Sequence, residues 1–275
     1  MDVIEQVGNS VIQHGKSNNR VYLMKADPGD MPWLPDGLES LAARENYTKI
    51  FMKVPESCMQ LLSDRDYVLE ASVPGYYNGE ENALFMSRFL DGRRQENARQ
   101  AVHEAIVAEA LSRRDKTTTV LPEGYSIRRC GPAHAEQMAS LYRKTLETYP
   151  FPIHDPGYLA RTMADNVVYF GVFGAGELVA LSSAEKDAGA SAAEMTDFAT
   201  LPEYRGKGLS SCLLKQTEEA MKAEGIKTAY TIARAESYGM NIVFARCGYE
   251  YRGRLVNNTD IAGDIESMNI WYRRL

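Results

Sequence analysis

The chain has few cysteines, and none of them falls in a pattern. Cys58, Cys130, Cys212 and Cys247 stand far apart, with no C-x-x-C pair and no Cys/His ligand spacing. That argues against a disulfide scaffold and a zinc framework, and it is what reduced thiols in a cytosolic protein look like. No apolar run approaches the ~18 residues of a membrane span. The opening stretch MDVIEQVGNSVIQHGKSNNR has no apolar core of a signal peptide. Positive charge is also short: 31 Lys and Arg against 37 Asp and Glu leave a net charge of −6, which disfavours a broad nucleic-acid surface. The expectation is a cytoplasmic protein with no nucleic-acid partner, no membrane partner and no metal. A 44% apolar and 25% charged composition over 275 residues is that of a globular chain long enough for two ordinary domains.

Residues 21–90 read as mixed α/β, with strands in YTKIFMKVP (47–55), YVLEASVPGYY (67–77) and NALFMSRFL (82–90) and a short helix in ESCMQLLSDRD (56–66). A long helix is expected over 93–115, with Ala98, Val102, Ala105 and Ile106 on one face. The polar connection KTTTVLPEG (116–124) carries a Pro and a Gly, and a domain boundary between 118 and 119 is expected there. Beyond it the order is strand (125–130), a helix opened by Pro132, the proline-broken stretch YPFPIHDPGYL (149–159), a hairpin around GAGE, and a strand over 192–201. A helix over about 206–224, a strand in KTAYTIA, a helix in SYGMNIVFARC and two closing strands complete the chain. The stretch from YTKIFMKVP to NALFMSRFL weakly echoes the stretch from IKTAYTIAR to ESMNIWYRRL.

The stretch TLPEYRGKGLSSCLL (200–214) places Gly206 and Gly208 where a strand gives way to a helix. Glycine costs about 1 kcal/mol in a helix interior, so its presence needs a reason. The first amides of a helix have no intrahelical partner and point with the positive end of the dipole, which suits an anion. Missing side chains let a phosphate approach the backbone, and Arg205 and Lys207 add positive charge. A P-loop fails because Leu209 follows Gly208, and the dinucleotide fingerprint fails because its third Gly is Ser211.

Pro202-Glu203-Tyr204-Arg205-Gly206-Lys207-Gly208-Leu209-Ser210 resembles the Q/R-x-x-G-x-G/A signature of the GNAT superfamily of N-acetyltransferases, with Ser210 in place of the usual Gly or Ala. The resemblance implies an α/β GNAT fold, a mixed central sheet with helices on both faces, in residues 119–275. Residues 1–118 would form a partial, degenerate GNAT-like domain. Acetyl-CoA would be the co-substrate, its pyrophosphate on the amides of Gly206, Lys207, Gly208, Leu209 and Ser210 and its pantetheine arm along Phe198, Ala199, Thr200 and Leu201. Asn241 is a further candidate cofactor contact. In many relatives a Tyr of the last helix protonates the leaving thiolate; here that position is Phe244, which leaves Tyr238 or solvent for the task.

Acetyl transfer to an amine needs a base. At pH 7 only about one aliphatic amine in 2,500 is neutral, a penalty of about 4.6 kcal/mol. Glu194 and Asp197 are the candidates, and strand alternation puts them on opposite faces of the sheet. Glu194 lies at the spacing from Arg205 that the histone-acetylating members use. Over its whole length the chain is similar to the β-lysine N-acetyltransferases, through YTKIFMKVP, VPGYYNGEENALFMSRFL, TYPFPIHDPGYL, PEYRGKG and LVNNTDIAGDIESMNIWY. This implies transfer to the ε-amine of β-lysine, giving a compatible solute, with a lysine 2,3-aminomutase as metabolic partner. Substrate candidates are Tyr149, Phe151, His154 and Asp155 of the proline-rich loop and Asn257, Asn258 and Asp260 of NNTD. Asp155 or Asp260 would hold an ammonium, and Asn257, Asn258 or His154 a carboxylate. Another small amine, a protein lysine, or a non-catalytic CoA-binding module are the alternatives. The oligomeric state is open, a homodimer included.

Overall fold

The computed structural model describes residues 2–114, 120–147 and 149–275; the boundary expected between 118 and 119 lies within 115–119, outside the described residues. The first part of the chain runs β1 (Val3–Val7), β2 (Ser10–Gly15), β3 (Arg20–Lys25), α1 (Leu34–Glu45), β4 (Lys49–Pro55), α2 (Met59–Ser63), β5 (Val68–Tyr77), β6 (Glu81–Phe89), α3 (Gly92–Gln95) and α4 (Gln100–Ser112). The second runs β7 (Tyr125–Cys130), α5 (Ala135–Thr145), α6 (Pro156–Asp165), β8 (Val167–Gly174), β9 (Glu177–Asp187), β10 (Ala192–Thr200), α7 (Leu209–Ala223), β11 (Thr228–Arg234), α8 (Tyr238–Arg246), β12 (Glu250–Ile261) and β13 (Asp264–Arg274).

All thirteen strands join one mixed sheet in the order β1-β2-β3-β4-β6-β5-β12-β13-β11-β10-β9-β8-β7. Read outward from its middle, the sheet repeats itself. Each side begins with an antiparallel hairpin, β5–β6 or β12–β13, followed by β4 or β11 antiparallel to it. A parallel pair follows, β3–β4 or β10–β11, crossed over by α1 or α7. The seam between the sides is a single ladder pair, Gly253 with Ala71. Gly253 has φ +131, and a Cβ there would lie 2.3 Å from the Glu70 carbonyl oxygen, so only glycine lets the two edges meet.

The seam also carries buried charge. β12 is irregular between Leu255 and Thr259, which takes three consecutive carbonyls off the ladder. Each is met by a cation from the first part of the chain: Val256 O by Lys49 Nζ at 2.8 Å, Asn257 O by Arg94 Nε at 2.7 Å, and Asn258 O by Arg20 Nη1. Lys49 pairs with Glu70 at 2.7 Å, both almost wholly buried, and Glu70 accepts the Val256 amide at 2.6 Å. Unpaired, each of these groups would cost the desolvation energy of a buried polar atom; paired, they fix how β12 bends.

Apolar residues close the layers. One face of the second part packs under α4, α7 and α8 around Leu213, Phe244 and Trp271, and its other face under α5 and α6 around Met138, Leu141 and Leu159. α1 covers the first part through Leu34, Leu38 and Leu41.

Two expected helices differ. The helix over 93–115 is broken into α3 and α4, because Glu96 is extended, at φ −71 and ψ 116, and gives its carbonyl to Asn257 Nδ2 at 2.8 Å. α4 then buries His103, Val107 and Ala110, while Val102 is 46% exposed. The helix expected from about 206 starts at Leu209, since Gly206 and Gly208, at φ +77 and +76, are left-handed and lie before it. β1 and β2, which lie before the stretch 21–90, and β3, which the reading of that stretch did not name, extend the sheet to the N-terminal edge.

Candidate active site

β10 and β11 run parallel only from Ala192 to Glu194, and beyond that point the strands part. β10 stays paired with β9 as far as Thr200, across an irregularity between Thr196 and Ala199. The edge of Phe198–Thr200 facing β11 is therefore without a ladder partner, which is what an extended ligand arm needs. The turn after β10 then brings Gly206 and Gly208 to the N-terminus of α7. A Cβ at either glycine would meet nothing within 4 Å, so both open onto free space. Among the described residues the amides of 206–210 donate to no protein acceptor; the first helical bonds are Ser211 and Cys212 N–H to Gly208 O. No acidic side chain stands in the first turn of α7. Five free amides with nothing negative beside them fit a diphosphate.

The flanking side chains are partly engaged. Arg205 Nε donates to Thr200 O at 3.2 Å, and Ser210 Oγ is 3.4 Å from Thr200 Oγ1. Lys207 Nζ bonds Tyr125 Oη at 3.0 Å and sits 5.0 Å over the Tyr204 ring, so its charge is held beside the turn. Asn241 is a correction. It is fully buried; its Nδ2 donates to Arg234 O and Ser237 O, and its Oδ1 accepts from Asn269 Nδ2 and Trp271 Nε1 at 2.8 and 2.9 Å. It ties α8 to β11 and β13 and has nothing left for a cofactor.

A cavity of about 810 Å³ lies against β10 on the face that carries α5 and α6. Its walls come from both parts of the chain: β3 and β4 on one side, β9, β10 and β11 on the other, with Tyr149, Phe151 and Tyr158 above. Glu194 lines it, paired across the sheet with Glu185 on β9 and Tyr230 on β11. Burial, and then the Glu185 charge, push the Glu194 carboxyl up to about 7, against the pull of Lys53 and the Tyr230 hydroxyl. Lys53 Nζ is 2.9 Å from Tyr76 Oη and 3.4 Å from Tyr230 Oη, and Tyr76 donates to Asp187 Oδ2 at 3.1 Å.

Asp197 is also corrected. Alternation puts it on the face opposite Glu194, but it sits in the irregularity of β10 with φ +54. The turned backbone brings its carboxylate back to the Glu194 face, where it accepts Tyr149 Oη at 2.5 Å and Ser183 Oγ at 2.6 Å. Burial raises its pKa, and these donors oppose the rise. Bulges re-aim side chains in this way.

The remaining candidates divide. Tyr149, Phe151 and Asn258 line the cavity. His154 Nε2 instead meets Leu146 O at 2.7 Å, and Asp155 caps α6 through the amides of Gly157 and Tyr158. Asn257 Nδ2 holds the Arg94 and Glu96 carbonyls, and Asp260 accepts the Gly263 amide in the β12–β13 turn. These four do local work, as Asn and Asp commonly do at turns and caps. Tyr238 lies at the exposed start of α8, its Oη 3.5 Å from Arg113, and does not reach the cavity. Phe244 is buried against Phe198 and Tyr249. The sequence reading missed Arg20, Tyr22, Lys53, Tyr76, Glu185 and Tyr230. One signal was present: Lys49 and Lys53 interrupt an otherwise apolar strand.

Free amides shaped for a diphosphate, an open strand edge beside them, and a carboxyl group able to take a proton near neutral pH are the requirements of a coenzyme-A-dependent N-acyltransferase. Comparison with known proteins makes this specific. The acetyltransferase (GNAT) family pattern matches residues 136–249. A β-lysine N(6)-acetyltransferase of Methanococcus maripaludis is 37% identical over 273 residues, 99% of this chain and 99% of its own. N-acetyltransferase YodP of Bacillus subtilis is 35% identical over 269 residues, 97% of this chain and 96% of its own. A β-lysine N(6)-acetyltransferase of Methanosarcina mazei is 34% identical over 260 residues, 86% of this chain and 95% of its own. The chain belongs to the GNAT acetyltransferase family. It is an acetyl-CoA-dependent N-acetyltransferase.

Proposed function

We propose that the chain transfers acetyl from acetyl-CoA to the ε-amine of β-lysine, giving Nε-acetyl-β-lysine. The observation that supports this most is the extent of the similarity to the two β-lysine N(6)-acetyltransferases. It runs beyond the cofactor-binding region into β3 and β4, which wall the cavity. A cavity built from two parts of the chain, with acids and cations facing each other, suits a small zwitterionic diamine better than a protein lysine.

Acetyl-CoA supplies the acetyl group as an activated thioester. The amides of 206–210 would hold its diphosphate, and the free edge of Phe198–Thr200 its extended arm. Glu194, with a pKa near 7, is about half ionised at neutral pH and takes the proton from the incoming ammonium. Lys53 keeps Glu194 from staying fully protonated. Asp197 is a positioning residue: bonded to Tyr149 and Ser183, it fastens the 149–155 segment over the reacting end of the cavity. Bringing amine and thioester together supplies much of the remaining rate.

In this reading residues 119–275 are the catalytic unit, and residues 1–118 are a partial copy of the same fold that completes the acceptor cavity. The product would be a compatible solute made in the cytoplasm during osmotic stress. The test is release of CoA thiol with β-lysine, lysine and spermidine as acceptors. Clear preference for β-lysine supports the assignment. Equal rates remove the specific acceptor, and binding of acetyl-CoA without amine-dependent release removes catalysis.

A further inference from the structure

Arg20 opens β3 and reaches the cavity from the first part of the chain, the part without the glycine turn. It is only 4% exposed. Its guanidinium lies 5.3 Å from the Tyr22 ring centre and 5.6 Å from that of Phe51, which fixes its plane. Nη1 is spent on Asn258 O and on Thr259 Oγ1, the latter at 3.2 Å. Nε is buried and has no hydrogen-bond partner. Among the described residues Nη2 has no partner either, and no carboxylate forms an ion pair with Arg20. The unspent atoms, Nε and Nη2, form one edge of the guanidinium, the edge that grips a carboxylate with two parallel hydrogen bonds. Burial pulls the Arg20 pKa down to about 10, so the group stays charged at neutral pH. A buried, charged, half-satisfied guanidinium on a cavity wall is costly unless a ligand completes it.

The acids sit elsewhere in the cavity. Glu194, Glu185, Asp187 and Asp197 lie on β9 and β10 and Asp165 ends α6, while Arg20 comes from β3. Tyr22 lines the cavity beside Arg20, its ring centre 5.3 Å from the guanidinium.

We propose that the Nε–Nη2 edge of Arg20 binds the carboxylate of the acceptor. Arg20 then makes the enzyme selective for diamino acids over diamines. Asn258 and Thr259 hold the guanidinium in register through the carbonyl and hydroxyl that occupy Nη1. The selectivity of the catalytic half is thus set by a side chain of the other half. This rests on the reading of β-lysine as acceptor, and the experiment separates the two.

Initial rates of CoA release are measured for β-lysine and for the diamine left when β-lysine loses its carboxylate, with wild type, Arg20→Gln and Arg20→Lys. A lost charge-assisted contact predicts that wild type favours β-lysine by about 10- to 100-fold in kcat/KM. In Arg20→Gln this preference disappears: kcat/KM for β-lysine falls, through a higher KM, by about 10- to 100-fold more than kcat/KM for the diamine. Arg20→Lys keeps the charge, loses the paired edge, and retains part of the preference; it also serves if the Gln variant does not fold. Wild type that acetylates both acceptors equally well overturns the Arg20 proposal and leaves acetylation of β-lysine standing. Preference that survives undiminished in either variant, or equal loss on both acceptors in a folded variant, overturns it too. Wild type inactive on β-lysine overturns the proposed acceptor, and with it this proposal.

Discussion

Replacing Glu194 by Gln gives a test in which activity and stability move in opposite directions. The carboxyl lies at about 7 in the folded protein against an ordinary 4.5. Below pH 4.5 it is protonated in both folded and unfolded chains and contributes nothing. As the pH rises from 4.5 to 7 the unfolded chain releases the proton first, so the wild type loses stability across this window. Above pH 7 the loss is complete and reaches at most about 3 kcal/mol, at about 1.36 kcal/mol for each pH unit between the two values. Gln carries no such cost and keeps the volume. At pH 8 the variant is therefore expected to be more stable by up to ~3 kcal/mol, about 5 °C in Tm for a chain of this size. At pH 4 the two proteins should melt together. Activity moves the other way: kcat falls by about a hundred- to ten-thousand-fold, and the acidic limb of wild-type kcat/KM, centred near pH 7, is lost. Thermal melts at pH 4 and 8 and a pH–rate profile read both arms. A variant no more stable than wild type at pH 8, or a wild-type profile flat between pH 6 and 8, refutes the placement of an ionising base at Glu194.

Lys53→Met removes the cation that opposes protonation of Glu194, so the acidic limb of kcat/KM should move to higher pH; an unmoved limb in a folded variant contradicts the coupling. Gly208→Val forces a β-branched residue to φ +76 and puts a side chain in front of the free amides. Calorimetry should show acetyl-CoA affinity lowered by about tenfold or more, as loss of a charge-assisted contact would produce. Asn241→Leu leaves the buried donors Asn269 Nδ2 and Trp271 Nε1 without their acceptor, while the Arg234 and Ser237 carbonyls keep only their backbone donors, and should cost about 3 kcal/mol of stability. The KM for acetyl-CoA in the surviving folded fraction should stay near wild type, and a large rise would return Asn241 to the cofactor site.

The elements from 125 onward are legible because each carries its own local signal. The GAGE turn places Ala175 and Gly176 at φ +51 and +87, as a two-residue hairpin turn requires. Pro202 to Ser210 announces its chemistry through glycines whose left-handed backbone the structure uses. What escaped depends on distant partners. β1, VIEQV, has four of its five residues exposed, Val3 and Ile4 among them, and becomes a strand only by pairing with β2. Asp197 changes face because of one positive φ that no periodicity reveals. His154, Asp155, Asn257 and Asp260 have the right chemistry for a diamino acid, but each has a backbone or turn to satisfy a few residues away or across the seam. The acceptor wall on β3 and β4 is opposite Glu194 only because two hairpins meet edge to edge at Gly253 and Ala71.

The three cations at that seam have a consequence for behaviour in brine. Mobile ions weaken attractions between charges that water can surround, with a reach of about 3 Å at molar ionic strength. The Lys49–Glu70 pair is sealed from water, and Arg20 is nearly so, leaving electrolyte no route to most of the contacts that bend β12. Rim pairs such as Arg93–Asp91 will fade as salt is added, while the chamber where the amine is received keeps its outline from dilute buffer to concentrated salt.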